Sequence, residues 1–319
     1  MPGLTPTSSA AAPAPAADDL IQPFQIDGSG LRGRLVRLGP AVDAILRRHD
    51  YPPPVARMLG EGLALAAALA GGLKYDGVFT LQTKGDGAIT MMVADVTSSG
   101  DLRGYAQFDA ERLARAMVAG DVERSVPRLM GAGYLAFTVD QGAHTERYQG
   151  IVELLGMTLA DCVHHYFQQS EQIGTAVKLA CAPGPAGAGW RATALTLQQM
   201  PAEGGINADI APETDRSEFW RRAVTLMGSS TTAELLNPTL APERLLYRLF
   251  HEDGVRIWPV QALRERCRCT ADRVETVLRA LTPAEIDDMT VDGAVTVTCQ
   301  FCNTLRRYDE PALKALRAG

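Results

Sequence analysis

Two short cysteine pairs, CRC at residues 267–269 and CQFC at residues 299–302, decide how the C-terminal part of this chain must fold. Four thiols that an intervening segment brings together form a tetrahedral sulfur site, and zinc is its usual occupant. The spacing therefore predicts one Zn²⁺ ion held by Cys267, Cys269, Cys299 and Cys302.

The segment that carries these cysteines is short. A tail of about 55 residues cannot bury a large apolar core, so a bound metal is the expected means of stabilising it. Four thiolate ligands leave no open coordination position for a substrate. The pattern thus indicates a structural site and not a catalytic one.

The CxC pair also has a redox aspect. The arginines at positions 264, 266, 268 and 273 are expected to favour the thiolate form, which is also the form that is oxidised. A disulfide within either pair removes two ligands and should release the metal. The residues alone leave two interpretations open: an inert structural zinc ribbon and a redox switch.

The composition and net charge of the chain are typical of a globular protein and not of one that binds nucleic acids. The chain has 319 residues, of which 46% are hydrophobic and 21% are charged, as in a globular protein of about two domains. The formal net charge is -6, and residues 263–319 carry nine Lys/Arg and nine Asp/Glu. Nucleic-acid binding depends on a surplus of cations, so this balance argues against it.

The location of the protein follows from what the sequence lacks. The longest apolar stretch, residues 63–73, is too short to cross a bilayer, and the N-terminus has no secretory signal pattern. We therefore expect a cytoplasmic protein without membrane association. Thiols are kept reduced in that compartment, so paired cysteines are interpreted as metal ligands or redox sensors.

The pattern of elements predicts an α+β fold with four parts. Residues 1–19 form an Ala/Pro-rich disordered leader of unassigned role, and residues 20–205 a mixed sheet-and-helix core. In this core an Ala-rich helix at 55–73 should be largely buried, and a second helix is predicted at 158–172. Alternating patterns predict three pairs of neighbouring strands in the core: 78–83 with 88–96, 134–139 with 148–153, and 175–182 with 190–198. Residues 206–262 are predicted to be a helical linker of low local stability, and residues 263–319 a small zinc-binding redox-switch domain.

Local signals predict the ends of several elements in this last domain. Thr270 is the expected N-cap of a helix, and Thr282 and Glu285 have the capping-box spacing for a second helix. Asp292-Gly293 is predicted to form the turn before a strand.

Other candidate residues favour structural interpretations. Cys162, beside His164 and His165, and Cys181 are interpreted as buried small thiols. The stretch Lys84–Gly87 is interpreted as a hairpin turn and not as a phosphate loop, because it lacks the Walker spacing. No catalytic constellation is specific enough to predict an enzyme.

Several stretches outside the tail, together with the cysteine spacing, resemble the redox-regulated 33-kDa chaperonin family of bacteria. The resemblance covers about residues 20–316. Its stretches are His49–Pro52, Lys74–Gly77, Gly85–Gly87, Glu146–Gly150, Tyr166-Phe167 with Ser170–Gln172, Tyr247–Glu252, and the two cysteine pairs.

The resemblance implies an ATP-independent chaperone of the holdase type that is inactive when reduced and zinc-loaded. Oxidation is then expected to form disulfides Cys267–Cys269 and Cys299–Cys302, to expel zinc and to unfold the tail and linker. The oxidised protein would dimerise and bind unfolding client proteins. The apolar residues of the linker could contribute to client binding once they are undocked.

Two alternatives remain at this point. A constitutive zinc-ribbon module for nucleic acid or a protein partner is disfavoured by the balanced charge of the tail. An enzyme with a structural zinc tail is disfavoured by the absence of a convergent catalytic set.

Overall fold

The computed structural model describes residues 18–27, 29–118, 120, 125–142, 147–184, 187–200 and 213–318. The leader predicted at residues 1–19 therefore lies outside the described residues except for its last two. The strands are β1 (Leu20–Ile26), β2 (Leu31–Leu38), β3 (Val78–Gly85), β4 (Ile89–Thr97), β5 (Asp101–Phe108), β6 (Gly133–Asp140), β7 (Tyr148–Glu153), β8 (Thr175–Pro183), β9 (Trp190–Gln199), β10 (Val255–Ile257), β11 (Gln261–Ala262), β12 (Arg264–Glu265), β13 (Thr290–Val291), β14 (Ala294–Thr298) and β15 (Leu305–Asp309).

The helices lie between these strands and beyond them. They are α1 (Pro40–Leu46), α2 (Pro53–Ala70), α3 (Ala110–Val118), α4 (Val126–Leu129), α5 (Leu159–Tyr166), α6 (Glu213–Ser229), α7 (Thr232–Leu235), α8 (Pro242–Phe250), α9 (Ala271–Ala280), α10 (Pro283–Met289) and α11 (Glu310–Ala318). A π-helical segment, Phe167–Glu171, continues α5. Among the described residues, no helix is both long and apolar enough to cross a bilayer.

Two large sheets form the body of the protein. The first has the order β10-β1-β2-β9-β8, with β11 pairing along the same edge strand β1. The second has the order β12-β5-β4-β3-β6-β7, and its β12–β5 pair is parallel. A third sheet, β13-β14-β15, belongs to the C-terminal region. The α+β class is thus confirmed, with two sheets in the core where the sequence suggested one.

Helix α2 lies between the two large sheets. It packs against β2, β8 and β9 on one side and against β3, β4 and β5 on the other. Sixteen of its 18 residues are buried, which confirms the prediction of a largely buried helix. Small residues allow this close approach: a Cβ atom at Gly60 would lie 2.4 Å from Cys181 Sγ.

The hairpins predicted in the core are present. β3 pairs with β4, β6 with β7 and β8 with β9. At the β3–β4 turn, the backbone N–H of Ala132 donates to Asp86 Oδ1 (2.8 Å) and that of Gly87 donates to the carbonyl of Met130 (2.8 Å). The stretch at 84–87 is therefore a packed hairpin turn, as predicted.

Helices α6, α7 and α8 cover the face of the first sheet that points away from α2. Alternate residues of a strand face opposite sides, so Leu31 and Leu35 of β2 face α6–α8 while Val36 and Leu38 face α2. On the α6–α8 side a second apolar core forms, which we call the cover core. Its buried members are Phe24, Ile26, Leu31, Leu35, Ala176, Ala180, Leu195, Leu197, Ala223, Met227, Leu235, Leu245, Leu246, Leu249 and Phe250.

Polar anchors also hold these helices on the sheet. Lys178 Nζ donates to the carbonyl of Gly228 (2.7 Å), and Arg191 Nε donates to that of Leu236 (2.8 Å). The guanidinium of Arg37, which is 1% exposed, donates to the carbonyls of Asn237 and Leu240. Cations placed at the carbonyl-rich C-terminal ends of helices are stabilising, and here they come from the sheet below.

The part of the predicted linker after α8 is not helical. Residues 255–257 and 261–262 form β10 and β11 and extend the first sheet at β1. The helical interpretation of residues 206–262 therefore applies to α6–α8 and is wrong for these strands, while residues 201–212 lie outside the described residues. Strands of two or three residues are too short to show an alternating pattern in the sequence.

Candidate metal centre

The first cysteine pair lies between a short strand and a helix. β12 ends at Glu265, Cys267 and Cys269 follow, and α9 begins after Thr270. The hydroxyl of Thr270 accepts a hydrogen bond from the backbone N–H of Arg273 (3.3 Å), which confirms its predicted role as N-cap. The chain is thus fixed on both sides of this pair.

The second pair lies at the turn between β14 and β15. The backbone N–H of Cys299 donates to the carbonyl of Thr304 (3.0 Å), and that of Asn303 donates to the carbonyl of Cys299 (2.8 Å). Asn303 has a φ of 56°, a left-handed conformation that asparagine tolerates better than most residues. These hydrogen bonds close a tight loop from which both sulfurs project.

All four sulfurs come together. Their Sγ atoms lie within 4.8 Å of one another, with Cys267 Sγ 3.8 Å from Cys299 Sγ and Cys269 Sγ 3.3 Å from Cys302 Sγ. A tetrahedron with metal–sulfur bonds of about 2.3 Å has edges of about 3.8 Å. No other set of three or more His, Cys, Asp or Glu side chains in the described part of the chain is placed to hold a metal ion.

The thiols differ in acidity. Burial raises the pKa of Cys267, and burial together with hydrogen bonds among the four sulfurs raises that of Cys269 to about 12. For Cys302, burial is outweighed by hydrogen bonds from the side chain and backbone of Thr304, so its pKa falls to about 6. A metal cation bound by all four sulfurs would offset the repulsion among neighbouring thiolates, and it would replace the protons of the thiols.

The region around the sulfurs has a small apolar core of its own. Five of its residues are buried together: Leu278, Ile286, Val295, Tyr308 and Leu313. The predicted capping box at the start of α10 is present, with Thr282 and Glu285 bonded reciprocally. The predicted turn at Asp292-Gly293 links β13 to β14. These local hydrogen bonds add to the stability of a small core, and a metal ion held by the four sulfurs would add to it further.

Three of the four arginines around the first pair bind carboxylates of the second sheet, and Arg273 donates to the backbone carbonyl of Arg268. Arg264 Nε lies 2.5 Å from Asp101 Oδ1, and Arg268 Nη2 lies 2.6 Å from Asp95 Oδ2. The expectation that these arginines promote thiolates is therefore wrong for Cys267 and Cys269, whose pKa values are raised. The positive charge of the three arginines that bind carboxylates is already paired with aspartates, which weakens its effect on the sulfurs.

The residue before Cys302 also contacts the second sheet. The guanidinium of Arg103 lies 3.7 Å above the centre of the Phe301 ring, and Tyr105 meets the same ring edge-on at 4.7 Å. Arg103 in turn binds Asp95, at 2.7 Å. Arg268 and Phe301, which lie within the two cysteine pairs, thus share one contact surface on β4 and β5. We call Asp95, Arg103, Tyr105, Arg268 and Phe301 the joint.

The sequence did not predict the contacts of the joint. It did predict that Cys162 and Cys181 are buried. Position within a cysteine pair was the only signal available for Arg268 and Phe301, and nothing local marks Asp95 or Arg103 as their partners. Cys162 and Cys181 are fully buried in the main core, far along the chain from the cluster, as predicted. Burial raises the pKa of Cys162 to about 11, as expected for an inert thiol.

The chain matches the model of the family described as Hsp33 protein over residues 19–309. It is 40% identical over 297 residues to the 33 kDa chaperonin of Caulobacter vibrioides strain NA1000 / CB15N, covering 92% of this chain and 96% of that protein. It is 39% identical over 303 residues to the 33 kDa chaperonin of Pseudomonas fluorescens strain Pf0-1, covering 94% of each.

The fold is similar to that of a solved structure. The crystal structure of the 33 kDa chaperonin from Thermotoga maritima superimposes with a TM-score of 0.77 at 23% identity, covering 95% of this chain and 98% of that one. The four-sulfur cluster, the two-sheet core and the match over nearly the whole described chain agree with one another, and the chain belongs to the Hsp33 family.

Proposed function

We propose that this chain is a redox-regulated, ATP-independent holdase that binds unfolding proteins under oxidative stress. The observation that carries the proposal is the joint, through which residues inside both cysteine pairs contact the core. A chemical change at the sulfurs must move Arg268 and Phe301, and so it must disturb the contact with β4 and β5. Membership of the Hsp33 family supports a chaperone function, and the close approach of the four sulfurs supports regulation by their oxidation.

The proposed cofactor is one zinc ion in the reduced protein, held by Cys267, Cys269, Cys299 and Cys302. Four sulfur donors at nearly tetrahedral separations suit zinc, and hard cations such as Mg²⁺ prefer oxygen. When bound, the ion would stabilise the tail and would keep the sulfurs as thiolates. With its ligands complete it offers no catalytic position, which supports a protein that is not an enzyme.

The proposed activating step is the oxidation of the two pairs to disulfides Cys267–Cys269 and Cys299–Cys302. In each pair two thiolates lose two electrons as the S–S bond forms. One hypochlorous acid molecule per pair accepts these electrons and is converted to chloride and hydroxide. Both disulfides together remove all four ligands, so the tail keeps only its five-residue core.

Unfolding of the tail would destabilise helices α6–α8, which we call the cover, through the segment that connects the two. We call this segment, β10 to β12 (residues 255–265), the strap. Only one residue separates β12 from Cys267, and β12 is paired with β5 through its register Arg264↔Asp101. Directly before β12, β11 and β10 pair with β1. Each pairing involves two or three residues, so the strap has little stability once the joint opens. The helices α6–α8 would then lose their C-terminal anchorage.

The proposed client surface is the cover core. Its members on β1, β2, β8 and β9 are buried by α6–α8, and undocking the helices would expose both apolar faces. Contiguous apolar surface of this kind binds unfolded chains, and it also explains the dimerisation expected of the oxidised form. We place the protein in the cytoplasm, where reduced thiols are the resting state.

The test is aggregation suppression of a thermally unfolding client by the reduced, zinc-loaded protein and by the same protein after hypochlorite. We expect suppression only after oxidation, with the loss of about four thiols and one zinc per chain. Cys162→Ser is the matched control, because Cys162 is buried away from the cluster and should leave the response unchanged.

Equal client binding before and after oxidation, without zinc release, would favour a constitutive zinc-ribbon binding module instead. A salt-dependent affinity for RNA or DNA would point to the nucleic-acid form of that alternative.

A further inference from the structure

A cleft of about 550 Å³ opens between the two large sheets at the C-terminal end of α2, away from the cysteines. β2 and the end of β9 form one wall, β3, β6 and β7 form the other, and the π-helical segment closes one end. The volume is in the range of small-molecule sites. The proposed holdase function makes no use of this cleft.

One wall of the cleft is cationic. Arg32 and Arg34 of β2 lie on it, Arg34 is half-buried, and Lys74, in the segment after α2, also lines the cleft. The Arg34 guanidinium donates to Gln198 Oε1 (3.1 Å), and no carboxylate among the described residues pairs with it. Burial, and after it the neighbouring charge of Arg32, lowers the pKa of Arg34 to about 10, so the group stays charged near neutral pH.

The backbone is shaped to admit this guanidinium. A Cβ atom at Gly72 would lie 2.7 Å from Arg34 Cζ and 2.8 Å from its Nη1, so a side chain at this position would displace the guanidinium from its present place. A half-buried arginine without a carboxylate partner has N–H donors that can bind a carboxylate or a phosphate in the cleft.

The rest of the cleft is apolar and aromatic. Phe79, Phe137, Val139, Phe167 and Ile173 line it. The acidic residue of the lining, Glu171, is occupied: the hydroxyls of Tyr148 (2.8 Å) and Tyr166 (2.7 Å) both donate to its Oε1. The cleft therefore offers cations at one wall and an apolar interior beyond them.

One further observation points to the same place. The helix predicted at 158–172 widens into a π-helical segment at Phe167–Glu171, and such segments occur often at functional sites. Phe167 and Glu171 of this segment both line the cleft.

We propose that this cleft binds an amphiphilic anion, a molecule with a carboxylate or phosphate head and an apolar body of the size of a medium-chain acyl group. The head would lie against Arg34, Arg32 and Lys74, and the apolar body would lie among the aromatic rings. Arginine donates two parallel hydrogen bonds to either head, and the low polarity of the cleft strengthens them.

The probe is 11-(dansylamino)undecanoate, titrated into the full-length, reduced, zinc-loaded protein with fluorescence as the readout. We expect saturable binding of one probe per chain. Dodecanoate and dodecyl phosphate, below their micelle concentrations, distinguish the two possible heads. At least one of them should displace the probe about tenfold more effectively than dodecanol or dodecylammonium does.

Variants locate the site. Arg34→Gln should weaken probe binding by about tenfold or more, and Lys74→Gln, at an exposed position that should not affect folding, by about threefold. Arg115→Gln is the matched control, because Arg115 is an exposed arginine on α3 outside the cleft. Its affinity should equal that of the unmodified chain.

Non-saturable binding, equal displacement by dodecanol and dodecanoate, or unchanged affinity in both Arg34→Gln and Lys74→Gln would overturn the proposal. Because the titration uses the reduced protein, its result is independent of whether oxidation activates client binding.

Discussion

The main core and the C-terminal region achieve stability by different means. In the core, a helix with 16 of its 18 residues buried is held between two sheets. In the C-terminal region, five buried residues form the apolar core, and four cysteine sulfurs lie within 4.8 Å of one another. Packing that is spread over dozens of residues resists a single chemical event, whereas a region stabilised by one ligand set can be lost through it. This contrast is what a switch requires.

The strongest test of the contrast is removal of the metal by a tight chelator under reducing conditions. Structural zinc contributes about 10–16 kcal/mol in small zinc domains, so residues 263–318 should lose their amide protection while α2 keeps its own. Hydrogen exchange followed by mass spectrometry measures both regions in one sample. Retained protection around Val295 in the chelated protein would show that the tail is stable without metal.

A second test weakens the cover core without touching the sulfurs. Phe250 is fully buried and stacks on Phe24 at 5.7 Å, so Phe250→Ala should lower the free energy of unfolding of the cover by about 3–5 kcal/mol. The reduced variant should suppress client aggregation in part. Tyr247→Ala, on the same helix but 64% exposed, is the matched control and should stay inactive until it is oxidised. If neither reduced variant suppresses client aggregation, a less stable packing of α6–α8 is not sufficient to activate the protein.

A third test breaks the joint. Asp95→Asn removes the partner of Arg103 and Arg268; the Asp95 side chain is 5% exposed, so we expect a loss of about 2–3 kcal/mol. Faster exchange over β12 and faster thiol oxidation by hypochlorite should follow. Glu310→Gln is the control, because its pair with Lys314 is largely exposed and is screened by solvent. Oxidation rates that do not differ between the two variants would argue against coupling through the joint.

The smallest expected effect concerns a helix cap in the C-terminal region. Thr282→Ala removes the capping box of α10 and should destabilise the metal-bound tail by about 1 kcal/mol, measured by denaturant unfolding of that region. Thr276→Ala, at an exposed position within α9, is the control and should be neutral or slightly stabilising. If Thr282→Ala lowers the free energy of unfolding of the tail as much as metal removal does, the stability of the tail depends on helix capping more than on metal binding.

Helix caps and turns could be predicted from the sequence, because they depend on residues that are close together in the chain. The caps at Thr270 and Thr282 and the turn at Asp292-Gly293 depend on residues within four positions, and all three are present. β1 was missed because Pro23 interrupts its pattern and cannot donate to a neighbouring strand. β10 and β11 pair on either side of that proline, and they are too short to show a pattern of their own.

The set of four sulfurs, the buried helix and the class of fold could be predicted from the amino acids alone, because cysteine spacing and apolar periodicity are properties of short stretches. The packing of α6–α8 on the first sheet became visible only in the folded protein, as did the contact of Arg268 with Asp95, a residue 173 positions away along the chain. The cleft that Arg34 shares with the aromatic rings is likewise a product of the tertiary fold. Contacts between distant residues depend on how the sheets twist and pack, and no local pattern encodes the choice of partner.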